Sequence, residues 1–152
     1  MLHIENLRKV YRGGKVAVDN LTLDIKKGEF IAFIGTSGSG KTTALRMLNR
    51  MVEPTSGMIS INGKEITKLN PVTLRRSIGY VIQQIGLMPH MTIRENITLV
   101  PRLLQWSKEK RDETAKYLLS LVNLPGAYLD YYPSQLSGGQ QQRIGVIRAL
   151  AA

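Results

Sequence analysis

The chain has 152 residues, is 43% hydrophobic and 21% charged, and contains no cysteine, a length that fits one globular domain better than two. Its longest apolar stretches run only a handful of residues, far short of the roughly 20 needed to cross a bilayer. The start, Met1-Leu2-His3-Ile4-Glu5, lacks the basic segment and long apolar core of a secretory signal, so neither a membrane span nor export is expected.

Without cysteine there are no disulfides or thiolate metal sites, which fits a reducing compartment. The 21 Lys+Arg against 11 Asp+Glu give a net charge of +10, a field able to attract nucleic acid, anionic lipid or polyphosphate. The basic residues are scattered, however, as pairs (Arg8-Lys9, Lys26-Lys27, Arg75-Arg76) and as a mixed run over 108–113. Aromatic residues are few and not interleaved with them, so solvated surface charge is the better reading than a nucleic-acid groove.

No period of 20 to 50 residues marks a repeat architecture. Residues 2–10 alternate in part, Gly13-Gly14 interrupts them, and 21–25 alternate again. Lys27-Gly28 then turns the chain into 29–34, which is apolar on both faces and predicts a strand covered on both sides. Residues 35–40 form a glycine-rich loop, and a helix is predicted over 41–51 with Leu45, Leu48 and Met51 on one face. Pro54, Gly57 and Gly63 punctuate a hairpin-like stretch around 58–61. A short helix over 72–77 leads into a second strand candidate, 78–82. After Gly86 the pattern becomes helical. Thr92-Ile93-Arg94-Glu95 is a capping box, and 108–121 is amphipathic with Ala115, Leu118, Leu119 and Val122 inward. Ser137-Gly138-Gly139-Gln140 is a second cap, opening a helix predicted to run to Ala152.

Gly35-Thr36-Ser37-Gly38-Ser39-Gly40-Lys41-Thr42 fits the pattern G-x-x-x-x-G-K-[ST] at every position. Glycines let the backbone wrap closely round a phosphate and aim successive N–H groups inward. The helix beginning directly after them contributes its positive dipole end. Lys41 is then placed to meet the β- and γ-phosphates, and the Thr42 hydroxyl to ligate Mg²⁺. With glycine near 7% of residues, a chance match somewhere in the chain has odds below about 1%, and the position after an apolar run lowers them further. The second constellation, Leu136-Ser137-Gly138-Gly139-Gln140-Gln141-Gln142-Arg143, combines a capping Ser, two glycines and a helix start. Taken alone it is better read as a plain helix cap.

Taken together, the two segments resemble the ATP-binding subunits of ABC transporters, whose signature motif reads Leu-Ser-Gly-Gly-Gln at this distance after the phosphate loop. The resemblance covers essentially the whole chain. It implies an α/β P-loop NTPase with a RecA-like core, an antiparallel β subdomain and an inserted helical subdomain. Residues 1–85 would be the β subdomain and the phosphate-loop part of the core, 86–138 the helical subdomain and 139–152 the signature helix. ATP and Mg²⁺ are the implied cofactors. The resemblance assigns Tyr11 to stacking on adenine, and Gly35, Thr36, Ser37, Gly38, Ser39, Gly40, Lys41, Thr42 and Thr43 to the phosphates. It assigns Gln83 to Mg²⁺ and the attacking water, with the neighbouring Gln84 an open alternative. Two subunits would meet head to tail, as a homodimer or with another ABC subunit. Ser137, Gly138, Gly139 and Gln140 of one would then contact the γ-phosphate held by Lys41 of the other. Lys41, Gln83 and, in trans, Ser137 are the implied catalytic residues.

Residues 79–97, with Val100-Pro101 and 143–150, resemble the ATPases of bacterial importers for quaternary amines: glycine betaine, carnitine and choline. This implies integral membrane permease subunits as partners, a substrate-binding protein indirectly, no nucleic acid, and a place on the cytoplasmic face of the membrane. The alternatives are an importer of amino acids or another solute, a soluble ABC-type ATPase acting on nucleic acid, and a P-loop kinase of small molecules. The family continues after the signature helix with a hydrophobic strand ending in Asp-Glu and later a switch histidine. Neither follows Arg143 here, since none of the 11 acidic residues forms such an Asp-Glu pair after it and His3 and His90 both precede it. The chain therefore reads as an N-terminal fragment with the C-terminal part of the core missing. It is expected to bind nucleotide weakly or not at all on its own, to turn none over, and to self-associate through an unpaired apolar edge.

Overall fold

The computed structural model describes residues 1–83 and 86–152, and the chain divides into two units, Met1–Arg75 and Arg76–Ala152.

In the first unit, β1 (Leu2–Val10) pairs antiparallel with β2 (Val16–Ile25) on one side and with β3 (Ser56–Ile61) on the other. A two-residue strand, β4 (Lys64–Glu65), extends the sheet to the order β2-β1-β3-β4. The partial alternation in β1 has a local cause. Asn6 takes φ 48° and the register shifts between Ile4 and Leu7. The extra residue returns Leu7 to the face of Ile4, and both are buried. Gly57 faces this bulge with φ 87°, where a Cβ would lie 2.4 Å from the Asn6 carbonyl oxygen, so only glycine fits.

The α1 helix (Lys41–Leu48) is shorter than expected. It buries Ala44 and Met47, whereas Leu45 and Met51 are about half exposed. The chain leaves the helix at Asn49, and Arg50 adopts φ 50°. The Arg50 guanidinium donates to the carbonyls of Ile66, Thr67 and Leu69 and to the Glu53 carboxylate. Arg75 donates to the carbonyls of Asn49 and Arg50. Two cations thus meet the negative end of α1 and a neighbouring turn. The next helix, α2 (Pro71–Arg76), begins one residue earlier than expected, because the Asn70 side chain accepts from the N–H of Val72 and Thr73.

Residues 29–34 are a correction to the sequence reading. They form no strand, and Phe30 and Ile34 are each 93% exposed. An apolar run becomes a strand only where a neighbour completes its hydrogen-bond ladder, and every strand pair among the described residues is antiparallel and elsewhere. The parallel sheet expected of the core is therefore not formed among these residues. The same holds for the candidate 78–82, which has no strand partner among the described residues. Here Gly79 lies so close to the Ala149 carbonyl that a Cβ would sit 1.9 Å from its oxygen.

The second unit is helical: α3 (Ile93–Ile97), α4 (Leu99–Leu103), α5 (Lys108–Leu121) and α6 (Gly138–Ala149). The Thr92–Glu95 capping box forms as expected, and Ser107 caps α5. One apolar core joins Ile93, Ile97, Ala115, Leu118, Leu119 and Ile144 with further residues of the linking turns, while Val122 packs at its edge. Asn96 is fully buried inside it. Its side chain accepts from the Met88 N–H and donates to the carbonyls of Met88, Met91 and Thr92, so a loop is tied to α3. Arg94 bridges Asp112 of α5 and Asp130, at 2.9 and 3.0 Å. The α6 helix ends at Ala149 with Leu150 as its cap, short of the predicted end at Ala152.

Candidate functional site

The end of β1 delivers Tyr11 into a turn in which its N–H donates to the Lys15 carbonyl at 2.9 Å and its own carbonyl accepts from Gly14 at 3.1 Å. Tyr11 is 40% exposed, with the Lys9 ammonium 5.4 Å from its ring centroid. The glycine loop enters α1 through Gly40, the residue before the first helical turn. Gly40 has φ 88°, and a Cβ there would sit 2.0 Å from the Ala17 carbonyl oxygen. Backbone sign and space both require glycine at this position. Gly38 shares the positive φ, at 84°, with open space around it. A Cβ on Gly35 would press on Ser39 Oγ at 2.8 Å. No side chain caps the start of α1, and its first turn holds no acid, so its positive end is left open to an external anion.

Lys41 is held in place before any ligand arrives. Its Nζ donates to the carbonyls of Gly35 and Thr36, each at 2.8 Å, and to Ser39 Oγ at 3.1 Å. Gly35 and Thr36 thus act by anchoring Lys41, while Ser37, Gly38, Ser39, Gly40, Lys41, Thr42 and Thr43 line a pocket of about 440 Å³. Tyr11 lines the same pocket. The fold therefore unites the aromatic side chain and the phosphate loop, which lie more than twenty residues apart in sequence.

Sequence reasoning missed Arg12 and Lys15, which also line this pocket. The signal was present in their position, flanking Gly13-Gly14 directly after Tyr11. The lining contains no acidic residue, so the pocket is uniformly cationic and suits a polyanion. Among the described residues no cluster of three or more His, Asp or Glu side chains could hold a metal ion. A cation here would depend on the Thr42 hydroxyl and on oxygens brought by the ligand itself, the mode expected of Mg²⁺ on a nucleotide.

In the second unit, Ser137 Oγ accepts from the Gln140 N–H at 3.3 Å, and Gln140 Oε1 accepts from the Ser137 N–H at 2.8 Å. Gln141 Nε2 donates to the carbonyls of Pro133 and Leu136, fixing the approach to α6. A Cβ on Gly138 or Gly139 would meet nothing within 4 Å. Gln83 is exposed and outside any helix or strand, and Gln84 falls outside the described residues.

The model of the ABC transporter family matches residues 18–152. The chain belongs to the ABC transporter family. It is 67% identical over its whole length to the carnitine transport ATP-binding protein OpuCA of Listeria monocytogenes, and covers 38% of that protein. It is 64% identical to the glycine betaine/carnitine/choline transport ATP-binding protein OpuCA of Bacillus subtilis (strain 168), again over its whole length, and covers 40% of it. The chain thus spans about two fifths of the length of these curated relatives. Among solved structures it is similar to the dimeric bacterial ABC transporter cassette MJ0796, with a TM-score of 0.86 and 38% identity. The match covers 99% of this chain and 69% of that one. A second structure of MJ0796, dimeric and bound to ADP and Pi, gives a TM-score of 0.85 at 36% identity. The fold is therefore that of an ABC ATPase cassette, a P-loop NTPase, with the antiparallel sheet and the helical unit described above.

Proposed function

We propose that this ABC transporter chain is the nucleotide-gripping part of an ATP-hydrolysing subunit that powers an importer of quaternary amine osmoprotectants such as glycine betaine, carnitine or choline. The observation that carries the reading is the single cationic pocket that unites Tyr11 with the glycine loop, Lys41 and Thr42. Tyr11 would stack on the adenine, and the loop N–H groups and the open end of α1 would hold the phosphates. The Lys41 ammonium would exchange its loop carbonyls for the β- and γ-phosphate oxygens. Mg²⁺, held by the Thr42 hydroxyl with phosphate oxygens, would neutralise charge on the transferring phosphoryl group.

Ser137, Gly138, Gly139 and Gln140 would meet the γ-phosphate bound to a second cassette. In support, Ser137 presents an ordered cap, and the space over both glycines is clear. The choice of solute rests on the names of the relatives that are 61 to 67% identical, which transport carnitine, glycine betaine or choline. Permease subunits would hold the dimer at the cytoplasmic face of the membrane, and a substrate-binding protein would act through them.

The test uses the full-length protein assembled with its permease. ATP hydrolysis and uptake of labelled glycine betaine, carnitine or choline should appear together and should both vanish in Lys41→Ala. Uptake of an amino acid in place of the quaternary amines would replace the solute, an outcome to which the 41% identical methionine import relative gives a direction. Hydrolysis stimulated by DNA, with no permease needed, would overturn the importer reading.

A further inference from the structure

Three cations line the 440 Å³ pocket: Arg12, Lys15 and Lys41. Lys41 already has three oxygen partners within the loop, so much of its charge is spent locally before a ligand arrives. Arg12 and Lys15 differ from it. Both are exposed, and among the described residues neither side chain makes an ion pair or a hydrogen bond. They flank Gly13 (φ 88°) and Gly14 (φ 80°) at the tip of the β1–β2 hairpin. The turn that presents them is held by the reciprocal bonds of Tyr11 with Lys15 and Gly14. With no carboxylate in the lining, nothing in the pocket offsets their field.

We propose that Arg12 and Lys15 are capture residues: an exposed cationic rim that draws the polyphosphate of a nucleotide into the pocket before Lys41 and the loop N–H groups engage it. The inference rests on the nucleotide reading above and adds a role that the phosphate-loop motif does not contain. Exposed rim charges act over distances set by ionic strength and change the rate of encounter more than the lifetime of the bound state. Cations that clasp the bound phosphates tightly would instead lengthen that lifetime.

The experiment is stopped-flow binding of a fluorescent ATP analogue to the full-length protein at low and high salt. Wild type, Arg12→Gln/Lys15→Gln, the charge-keeping Arg12→Lys/Lys15→Arg and Lys41→Ala are compared. The doubly neutral variant should associate about tenfold more slowly at low salt, with the gap closing at high salt and the dissociation rate changing by less than about twofold. The charge-keeping variant should recover the wild-type association rate and its salt slope. The defect should also shrink from the triphosphate to the monophosphate analogue. An unchanged association rate, a defect independent of salt, or a change confined to dissociation would overturn the capture role. Saturable wild-type binding that is weakened in Lys41→Ala shows that the nucleotide reading stands whatever the rim does. Absence of saturable binding by the wild type would overturn both.

Discussion

The two units of the chain differ in how completely each closes on itself. In the second unit the helices satisfy their own backbones, and eleven buried apolar residues form one core around Ile97, Leu119 and Ile144. In the first, a four-stranded antiparallel sheet and a short helix coexist with a run, 29–34, whose Phe30 and Ile34 lie in the open. A helix finds its hydrogen-bond partners four residues away, whereas a strand must find them in another segment. The helical core can therefore close within one unit, whereas the apolar runs 29–34 and 78–82 find no ladder among the described residues.

The sharpest way to break that comparison is to truncate one residue of each kind. Ile144 is fully buried and Phe30 is 93% exposed. Ile144→Ala should cost about 2–5 kcal/mol by denaturant unfolding. Phe30→Ser should move stability by no more than about 0.5 kcal/mol and lower self-association in light scattering. An equal loss of stability at Phe30 would mean that the run is packed after all, and the contrast between the units would fall.

Where the sequence was readable follows from the same physics. Thr92-x-x-Glu95 and Ser137-x-x-Gln140 are local devices, and both form as capping boxes. The α5 helix has the predicted bounds, because its periodicity acts within one segment. The phosphate loop was legible because each position carries its own local requirement, most visibly Gly40 against the Ala17 carbonyl. Pairings between distant segments were not legible. The bulge at Asn6 that brings Leu7 beside Ile4 requires Gly57 across the sheet. The buried face of α1, Ala44 and Met47 in place of Leu45, is set by which distant segments pack against the helix, and Met51 lies beyond its end. Arg12 and Lys15 enter the site only because the hairpin returns them to a loop some twenty residues later.

A middle-sized effect separates two roles at the start of α6. Ser137 caps the helix through Gln140, so Ser137→Ala should cost about 1 kcal/mol in the second unit. Asp caps as well as Ser, and Ser137→Asp should restore that stability. It should still abolish ATP hydrolysis by the full-length dimer, because it would set a carboxylate against the γ-phosphate of the opposing cassette. Hydrolysis by Ser137→Asp at the wild-type rate would leave Ser137 as a helix cap and nothing more.

The smallest effect belongs to the first unit alone and concerns pH. On β1, His3 donates from its ring to the Asp24 carboxylate of β2 at 2.5 Å, with Glu5 at 3.8 Å from the other ring nitrogen. The hydrogen bond to Asp24, followed by the attraction of its charge, raises the His3 pKa above 6.5. A folded-state value above the unfolded one means that the pair stabilises the sheet fully below the unfolded pKa. That contribution is lost as pH rises through the raised folded value. The ring is exposed, so solvent screens the pair and the change in stability is slight. The titration itself is the better readout. An NMR titration of the His3 ring should give a midpoint above 6.5 that falls toward it in Asp24→Asn. Because Asp24 lies opposite His3 in the β1–β2 register, a midpoint unmoved by that substitution would show that the two strands do not hold this pairing in solution.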